Sequence, residues 1–377
     1  MAYVCRKSPT HPCQEMVRAH PAVLNLESGM TKESPPIRRA RRGSGAVTLH
    51  DVARLAGVAP ISASRALNTP DQVSKELLRK VTEAVKHTGY VPNRVAGGLA
   101  SARSRLVAVL VPTISGPVFL ETINALTSAL ASYGYQLMLG QSGYADSRED
   151  ALLDAIIGRR PDGIVLTGIM RSPEGRRRLM AAGIPVVETW DLTPTPLDML
   201  VGFSHVDVGR AVVDFLYARG HRRLAAVAGD DERSQRRLQA FQAAARSAGL
   251  GEPTVITVPA PSTLKSGRMA LGALIDKHPG IDAIFCSSDL LALGVMTEAQ
   301  SRNIRIPEEL GVMGFGDLEF AADLHPALTT VRVDGKLIGQ RAAQFIVDRA
   351  EGRAIAEPVI DVGFTIIERG SVRTSRP

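Results

Sequence analysis

The sequence is poor in aromatic residues and in cysteine. Aromatic residues make up 4% of its 377 residues against 45% for hydrophobic residues, which favours Ala/Val/Leu-rich α/β layers over an aromatic-rich β-sandwich. Cys5, Cys13 and Cys286 form no paired framework and indicate a reducing cytoplasm. There is no run of about 18 apolar residues and no apolar signal core, so a membrane or periplasmic address is not expected.

Recognisable metal and catalytic motifs are also missing. Cys5, His11, Cys13 and His20 lie near one another, but their spacing matches no zinc pattern. The chain has no G-x-S-x-G elbow, no P-loop, no H-E-x-x-H, and no G-x-G-x-x-G after a strand. We therefore expect no metal, no cofactor and no enzymatic activity.

Positive charge is concentrated at the N-terminus. Residues 1–46 have eight Lys and Arg against three Asp and Glu, and residues 47–104 have eight against four. Because the whole chain has a net charge of +7, residues 105–377 have a net charge of −2. A basic N-terminal module on a near-neutral body is typical of proteins that bind a phosphate backbone, although a solvated charged face has the same composition.

Residues 1–46 show no pattern that could bury a core. They contain five prolines and the run Ile37-Arg38-Arg39-Ala40-Arg41-Arg42. Two interpretations stay open. The segment is either a disordered basic arm that adds non-specific DNA affinity, or an extension of the reading frame with the true start at Met16 or Met30.

Three short helices are predicted between residues 47 and 92. Thr48 begins a capping-box-like start for the first helix, and Gly57 ends that helix. Pro60 opens a second short helix, and Ser74 caps a third that ends at Gly89. Three short helices with a Gly turn between the first two form a helix-turn-helix module.

From residue 105 onward, apolar strands alternate with amphipathic helices. Strands are predicted at 106–112, 135–140, 163–168, 185–190, 223–228, 254–258, 282–287 and 310–315. The alternation predicts an α/β fold with doubly wound parallel sheets, and the length of the segment predicts two similar lobes. Ligands of such sheets bind beyond the carboxyl ends of the strands, so we expect a ligand crevice between the lobes.

Several motifs resemble those of the LacI (lactose-repressor) family. They are Val47-Thr48-Leu49-His50-Asp51-Val52-Ala53, Ser64-Arg65-Ala66-Leu67-Asn68, Gly89-Tyr90-Val91-Pro92-Asn93, Gly220-His221-Arg222-Arg223, Arg237-Leu238, Ser288-Asp289 and Pro326-Ala327-Leu328-Thr329-Thr330-Val331. The resemblance implies a helix-turn-helix headpiece at 47–92, a hinge helix or linker at 93–104, and a two-lobed, periplasmic-binding-protein-like domain for effector binding and dimerisation at 105–373.

Other stretches resemble the gluconate-utilisation repressors of that family. They include Gln136-Leu137-Met138-Leu139, Val201-Gly202-Phe203 and Asp231-Glu232-Arg233. The resemblance implies a cytoplasmic, nucleoid-associated homodimer that represses from a pseudo-palindromic operator and is released by a sugar acid such as gluconate. The alternatives are a regulator of another sugar or of a phosphorylated sugar, and a two-lobed sugar-binding transport protein. No leucine heptad follows Val372, which speaks against a tetramer formed by a terminal coiled coil and leaves other tetramers open.

The resemblance places DNA contacts on the second helix. Pro60 and Ile61 occupy base-reading positions, where an apolar side chain is limited to contacts such as a thymine methyl. Arg65 is expected to contact a base or a phosphate, and Ser62 and Ser64 to bind phosphates. The other expected DNA-binding residues are Thr48, Asn68, Tyr90, Asn93, Arg94 and Leu99.

Two features near that helix weaken local structure. Ala59 stands where the family usually has a capping Ser, which costs about 1 kcal/mol of helix stability. The resemblance also implies a hinge helix that folds only on DNA, with Leu99 wedged into the minor groove. Gly97 and Gly98 are poor helix formers, so we expect the free hinge to be disordered; a plain linker is the alternative.

The expected effector-binding residues lie near strand ends and helix starts. They are Ser115, Phe119, Trp190, Asp191, Arg237 and Asp289. The guanidinium of Arg237 suits a carboxylate or paired hydroxyls, and Asp289 would accept hydrogen bonds from sugar hydroxyls. Trp190 either stacks on a sugar or packs in the core. Ser288 and Ser204-His205 depart from the family's usual Asn and Asp-Asn, which leaves the chemistry of the ligand open.

Overall fold

The structure is a computed structural model that describes residues 47–91, 103–143 and 146–374, without the side chains of 146–148. These residues form two compact units that divide between Val91 and Pro92. The arm at 1–46 and most of the hinge, with Asn93, Arg94 and Leu99, lie outside the described residues. Within the described part of the chain, no helix is long and apolar enough to span a membrane.

The first unit, the headpiece, consists of three helices whose ends follow from local capping. They are α1 (Leu49–Ala56), α2 (Pro60–Asn68) and α3 (Lys75–Thr88). Thr48 and Asp51 form the predicted capping box, in which the Thr48 backbone N–H donates to the Asp51 carboxylate at 2.9 Å. Ser74 caps α3 by accepting a hydrogen bond from the Leu77 N–H at 3.2 Å. Ala59 makes no side-chain capping bond at the start of α2, as predicted.

Small and branched apolar residues fill the headpiece core. Those that are fully buried are Val52, Ala53, Ala63, Ala66, Val81 and Ala84. Alanines from α1, α2 and α3 bring the three helices close together, since a larger side chain would hold them apart. Because α2 turns Ala63 and Ala66 inward, its opposite face is left to solvent.

The second unit contains two α/β lobes, each built on a six-stranded sheet. Its strands are β1 (Leu106–Val111), β2 (Gln136–Gln141), β3 (Gly163–Thr167), β4 (Val186–Thr189), β5 (Met199–Gly202), β6 (Leu224–Gly229), β7 (Thr254–Val258), β8 (Ala283–Cys286), β9 (Gly311–Phe315), β10 (Thr329–Arg332), β11 (Val359–Asp361) and β12 (Thr365–Ile367). Its helices are α4 (Leu120–Ser132), α5 (Asp146–Ile157), α6 (Pro173–Ala182), α7 (His205–Ala218), α8 (Glu232–Ser247), α9 (Leu264–Lys277), α10 (Asp289–Ser301) and α11 (Gly335–Ala350).

Both sheets are almost entirely parallel, which confirms the predicted doubly wound fold. The first lobe has the strand order β11-β5-β4-β3-β1-β2, and the second has β12-β10-β9-β8-β6-β7. Among the strands that the structure describes, only β10 and β12 pair antiparallel. The chain passes between the lobes three times, after β5, after β10 and after β11.

All eight predicted strands are present within a residue or two of the expected bounds, whereas β5, β10, β11 and β12 were missed. The four missed strands have only three or four residues each. A strand of that length has too few side chains to show a reliable period: β4 and β8 also have four residues and were predicted, whereas β5 and β10 were missed.

Candidate nucleic-acid interface and ligand pocket

The solvent face of α2 presents the predicted base-reading residues. Pro60, Ile61 and Arg65 are exposed, and Ile61 leaves 69% of its surface to solvent. Ile61 and Arg65 are four residues apart and therefore lie on one side of the helix. A large apolar side chain this exposed at the start of a helix, beside a cation, is suited to contact with a base methyl and a nearby polar group.

Arg65 on that surface is free of ion pairs with the described residues, unlike several other cations of the headpiece. In the headpiece, Arg54, Arg79 and Lys80 each form a surface ion pair with an acid on the same helix. Arg65 forms no ion pair with any described residue. Asn68, one turn further on, donates to the Ser64 hydroxyl at 3.2 Å. The arrangement offers one unpaired guanidinium with polar groups beside it.

Two other predicted DNA-binding residues have structural contacts of their own. The Thr48 hydroxyl is held in the capping box, where it donates to the Asp51 carboxylate at 2.6 Å. The Tyr90 ring is half-buried against the headpiece core. Ser62 and Ser64 are also half-buried.

A pocket of about 90 Å³ lies between the lobes, at the carboxyl ends of the strands as predicted. The first lobe lines it with Thr113, Gly116, Pro117, Val118, Phe119 and Trp190. The second lobe lines it with His205, Asp231, Arg233, Ser234, Arg237, Pro261, Ser262, Ser287, Ser288, Leu290, Phe315 and Leu318. Mixed aromatic and polar walls of this kind suit a small polar ligand with an apolar face.

Arg237 is the most deeply buried cation of the pocket, with 4% of its surface exposed. Its guanidinium lies 4.0 Å from the centre of the Phe315 ring and donates to the Ser234 hydroxyl and the Ser287 carbonyl at 3.2 and 3.0 Å. Its Nε has no hydrogen-bond partner, and no described carboxylate forms an ion pair with it. Burial lowers the pKa of Arg237 to about 10, so the side chain stays charged at neutral pH.

His205 connects Arg237 to the other lobe. Its Nδ1 lies 2.9 Å from Nη1 of Arg237, and its Nε2 lies 3.0 Å from the carbonyl oxygen of Trp190. Burial and the neighbouring guanidinium hold the pKa of His205 well below its ordinary value, so the imidazole is neutral. The position that the sequence marked only as a departure from the family is therefore part of the pocket wall.

Aromatic rings form the opposite wall. Trp190 meets Phe119 edge to face at 5.1 Å and Phe203 at 6.0 Å, and its Nε1 donates to the Thr122 hydroxyl at 3.0 Å. Arg233 lies 5.0 Å from the centre of the Phe119 ring. Trp190 thus packs in the core and lines the pocket at once.

An outer chamber of about 370 Å³ adjoins the pocket and shares Asp231 and Arg233 with it. Asp191 lines this chamber rather than the inner pocket. Burial raises the pKa of Asp191 to about 6, which leaves the carboxyl mostly ionised at neutral pH.

Two predicted effector residues lie away from the pocket lining. Ser115 is exposed, and its backbone N–H donates to the Thr113 hydroxyl at 3.0 Å. Asp289 is fully buried at the start of α10, where it accepts hydrogen bonds from the Thr330 hydroxyl at 2.6 Å and the Leu318 N–H at 2.7 Å. Burial raises the pKa of Asp289 to about 6. Its carboxylate connects β10 to the loop at Leu318, and Asp289 lies outside the pocket lining.

Sequence reasoning missed five polar residues of the second-lobe wall, namely Asp231, Arg233, Ser234, Ser262 and Ser287. All five lie within about five residues after the end of β6, β7 or β8. The signal that could have found them is the strand-end rule applied to every strand of the lobe. Among the described residues, no group of three or more His, Cys, Asp or Glu side chains could hold a metal ion.

Comparison with known proteins gives concordant matches for both units. Residues 48–93 match the family described as bacterial regulatory proteins, lacI family, and residues 213–372 match the periplasmic binding protein-like domain. The HTH-type transcriptional regulator GntR of Pseudomonas aeruginosa is 37% identical over 332 residues, which are 88% of this chain and 97% of that protein.

Solved structures agree with the sequence relatives. A LacI-family transcriptional regulator from Silicibacter pomeroyi superposes with a TM-score of 0.83 at 31% identity, over 87% of this chain and all of that chain. The transcriptional regulator CelR, solved as a cellobiose complex, has a TM-score of 0.63 at 29% identity, over 86% of this chain and 99% of that chain.

Proposed function

The chain belongs to the LacI family of DNA-binding transcription regulators, and we propose that it is a homodimeric repressor released from its operator by a sugar acid such as gluconate. Two headpieces of a dimer would read a pseudo-palindromic site, with α2 in the major groove. Ile61 and Arg65 would contact base edges or phosphates, and Asn93, Arg94 and Leu99 would extend the contact along the hinge.

The proposed ligand is inferred from Arg237, whose guanidinium is buried and forms no ion pair with a described carboxylate. A buried guanidinium without a carboxylate in direct contact is costly, because the attraction of the nearby carboxylates of Asp231 and Asp191 is smaller than the effect of desolvation. A ligand carboxylate in the pocket would supply that partner through charge-assisted hydrogen bonds. The serines and Asp231 of the pocket would bind hydroxyls, and the aromatic wall would cover an apolar face of a sugar. CelR, a relative of the same fold, is known as a cellobiose complex.

Ligand and operator would oppose each other through the lobes. Because the pocket has walls from both lobes, a bound ligand favours one lobe arrangement, and the operator favours another. Such couplings are typically about 1–3 kcal/mol, or roughly 5- to 150-fold in affinity.

The experiment is selection of genomic DNA fragments by the purified full chain at physiological salt, with and without gluconate. A palindrome that is enriched alone and lost with gluconate supports the proposal. Enrichment that gluconate leaves unchanged discards the ligand, and no enrichment in either condition contradicts operator binding.

Two variants distinguish operator binding from the response to gluconate. Arg237→Met should still enrich the palindrome while losing the response to gluconate, because it removes the buried cation and leaves the headpiece intact. Arg302→Met is the matched control, since Arg302 forms surface ion pairs with Asp276 and Glu298 and should respond as the unaltered chain does.

A further inference from the structure

Four charged side chains meet across the crevice beside the pocket. Arg171 and Asp191 belong to the first lobe, whereas Glu232 and Arg236 belong to α8 of the second lobe. Nη1 of Arg236 lies 2.8 Å from both carboxylate oxygens of Asp191. Arg171 forms an ion pair with Glu232, and its Nη2 lies 3.8 Å from Asp191. Each lobe thus contributes one cation and one anion.

The group extends from the interior to the surface. The side chain of Asp191 is 5% exposed, Arg236 24%, Arg171 45% and Glu232 53%. Arg236 also binds Glu232 within α8, at 3.1 Å, which holds its guanidinium in position toward Asp191. The Asp191–Arg236 pair lies in the less solvated part, so its Coulomb attraction is the stronger of the two ion pairs between the lobes.

These residues are separate from the ligand-binding wall. None of the four lines the inner pocket, and Arg171 and Arg236 line neither the pocket nor the outer chamber. Asp191 directly follows Trp190, whose ring is part of the pocket wall. Beside the group, Nη1 of Arg233 donates to the carbonyl oxygen of Thr167 in the first lobe at 3.0 Å. The contacts therefore bridge the lobes at the mouth of the pocket.

We infer that Arg171, Asp191, Glu232 and Arg236 form an ionic latch that holds the two lobes closed over the pocket. Arg171 and Arg236 are positioning residues: they hold the walls together without touching the ligand. Entry and exit of a ligand then require transient opening of the latch. Since the latch is electrostatic and partly solvated, it weakens as salt rises.

Trp190 provides the measurement, because it is the one tryptophan of the 377-residue chain and lies next to Asp191. It is buried in the closed arrangement, so acrylamide quenching of its fluorescence reports opening. The test compares the full chain with the double variant Arg171→Gln/Arg236→Gln at low salt and without ligand. Arg302→Gln is the control, because it removes surface ion pairs far along the sequence from the latch.

Loss of two partly exposed ion pairs is expected to raise the open fraction roughly tenfold, so the quenching of Trp190 increases in the double variant and not in the control. Quenching in the double variant equal to that of the unaltered chain overturns the latch. If the double variant does not fold, the latch is tested instead by measuring the quenching of Trp190 in the unaltered chain at increasing NaCl concentrations. Quenching should rise with NaCl before any loss of folded protein, and a flat series overturns the inference. Since neither gluconate nor DNA is present, the result is independent of the proposed ligand.

Discussion

Arg237 and His205 make a hydrogen bond that fixes the tautomer of a buried imidazole. Nη1 of Arg237 lies 2.9 Å from Nδ1 of His205, and arginine has only donors, so Nδ1 must accept. The proton of the neutral ring is then on Nε2, which donates to the Trp190 carbonyl of the other lobe at 3.0 Å. A ligand that binds Arg237 is thereby connected to the interlobe wall through a single ring.

The tautomer and its pH response can be measured. We expect ¹⁵N NMR of histidine-labelled protein to show His205 neutral at neutral pH with its proton on Nε2, and His205→Gln identifies the signal. The pKa of His205 in the folded chain is below its ordinary value of 6.5, so the unfolded chain takes up the proton first. This group therefore reduces the free energy of unfolding as pH falls below 6.5. A signal that titrates near neutral pH would contradict the assignment.

Arg65→Ala should weaken operator binding while leaving the headpiece folded. Arg65 is exposed and unpaired among the described residues, so its loss removes a DNA contact and no internal ion pair. A base contact is worth about 1–3 kcal/mol, or roughly 5- to 150-fold in affinity. Fluorescence anisotropy with the selected fragment and a scrambled fragment distinguishes a base contact from a phosphate contact, since only the former affects the selected site alone. Arg79→Ala, which breaks a surface pair with Glu83, is the control.

Ala59→Ser should stabilise the start of α2. Ala59 is the N-cap residue and makes no side-chain bond, whereas a serine hydroxyl would accept from the free amides of the first turn. The gain is about 0.5–1 kcal/mol, seen as slower hydrogen exchange of α2 amides in the full chain. Ser74→Ala should do the reverse at α3, because it removes a cap that accepts from Leu77. Equal exchange rates of the α2 amides in Ala59→Ser and the unaltered chain would show that the missing cap does not reduce the stability of α2.

Gly202→Ala should damage the first lobe at the crevice. A Cβ at this position would lie 1.9 Å from the carbonyl oxygen of Asp191, which is backbone and cannot rotate away. We expect a loss of about 2–4 kcal/mol in the free energy of unfolding, measured by urea denaturation, and a displaced Asp191. Gly116→Ala is matched in chemistry but would meet no atom within 4 Å, so its stability should be unchanged. Similar losses in both variants would argue against the clash.

The predicted effector residues show how far strand-end reasoning reaches. Phe119, Trp190 and Arg237 line the pocket, Asp191 lines the outer chamber, and Ser115 and Asp289 line neither. The rule places a residue at the correct edge of a sheet but does not decide which way its side chain turns. For Asp289 the deciding contacts come from Leu318 and Thr330, 29 and 41 residues further along the chain.

The sequence by itself determined the headpiece helices, eight of the twelve described strands and the two-lobed plan. A cap such as Thr48–Asp51 forms between residues three positions apart, so the sequence predicts it directly. An apolar run such as Leu106–Val111 likewise indicates a buried strand without reference to distant residues. Only the tertiary structure decided the strands β5, β10, β11 and β12, the place of Asp289, and the contact of Arg236 with Asp191. A short strand or an ion pair is stabilised by a partner distant in sequence, and that partner is known only once the chain has crossed between the lobes.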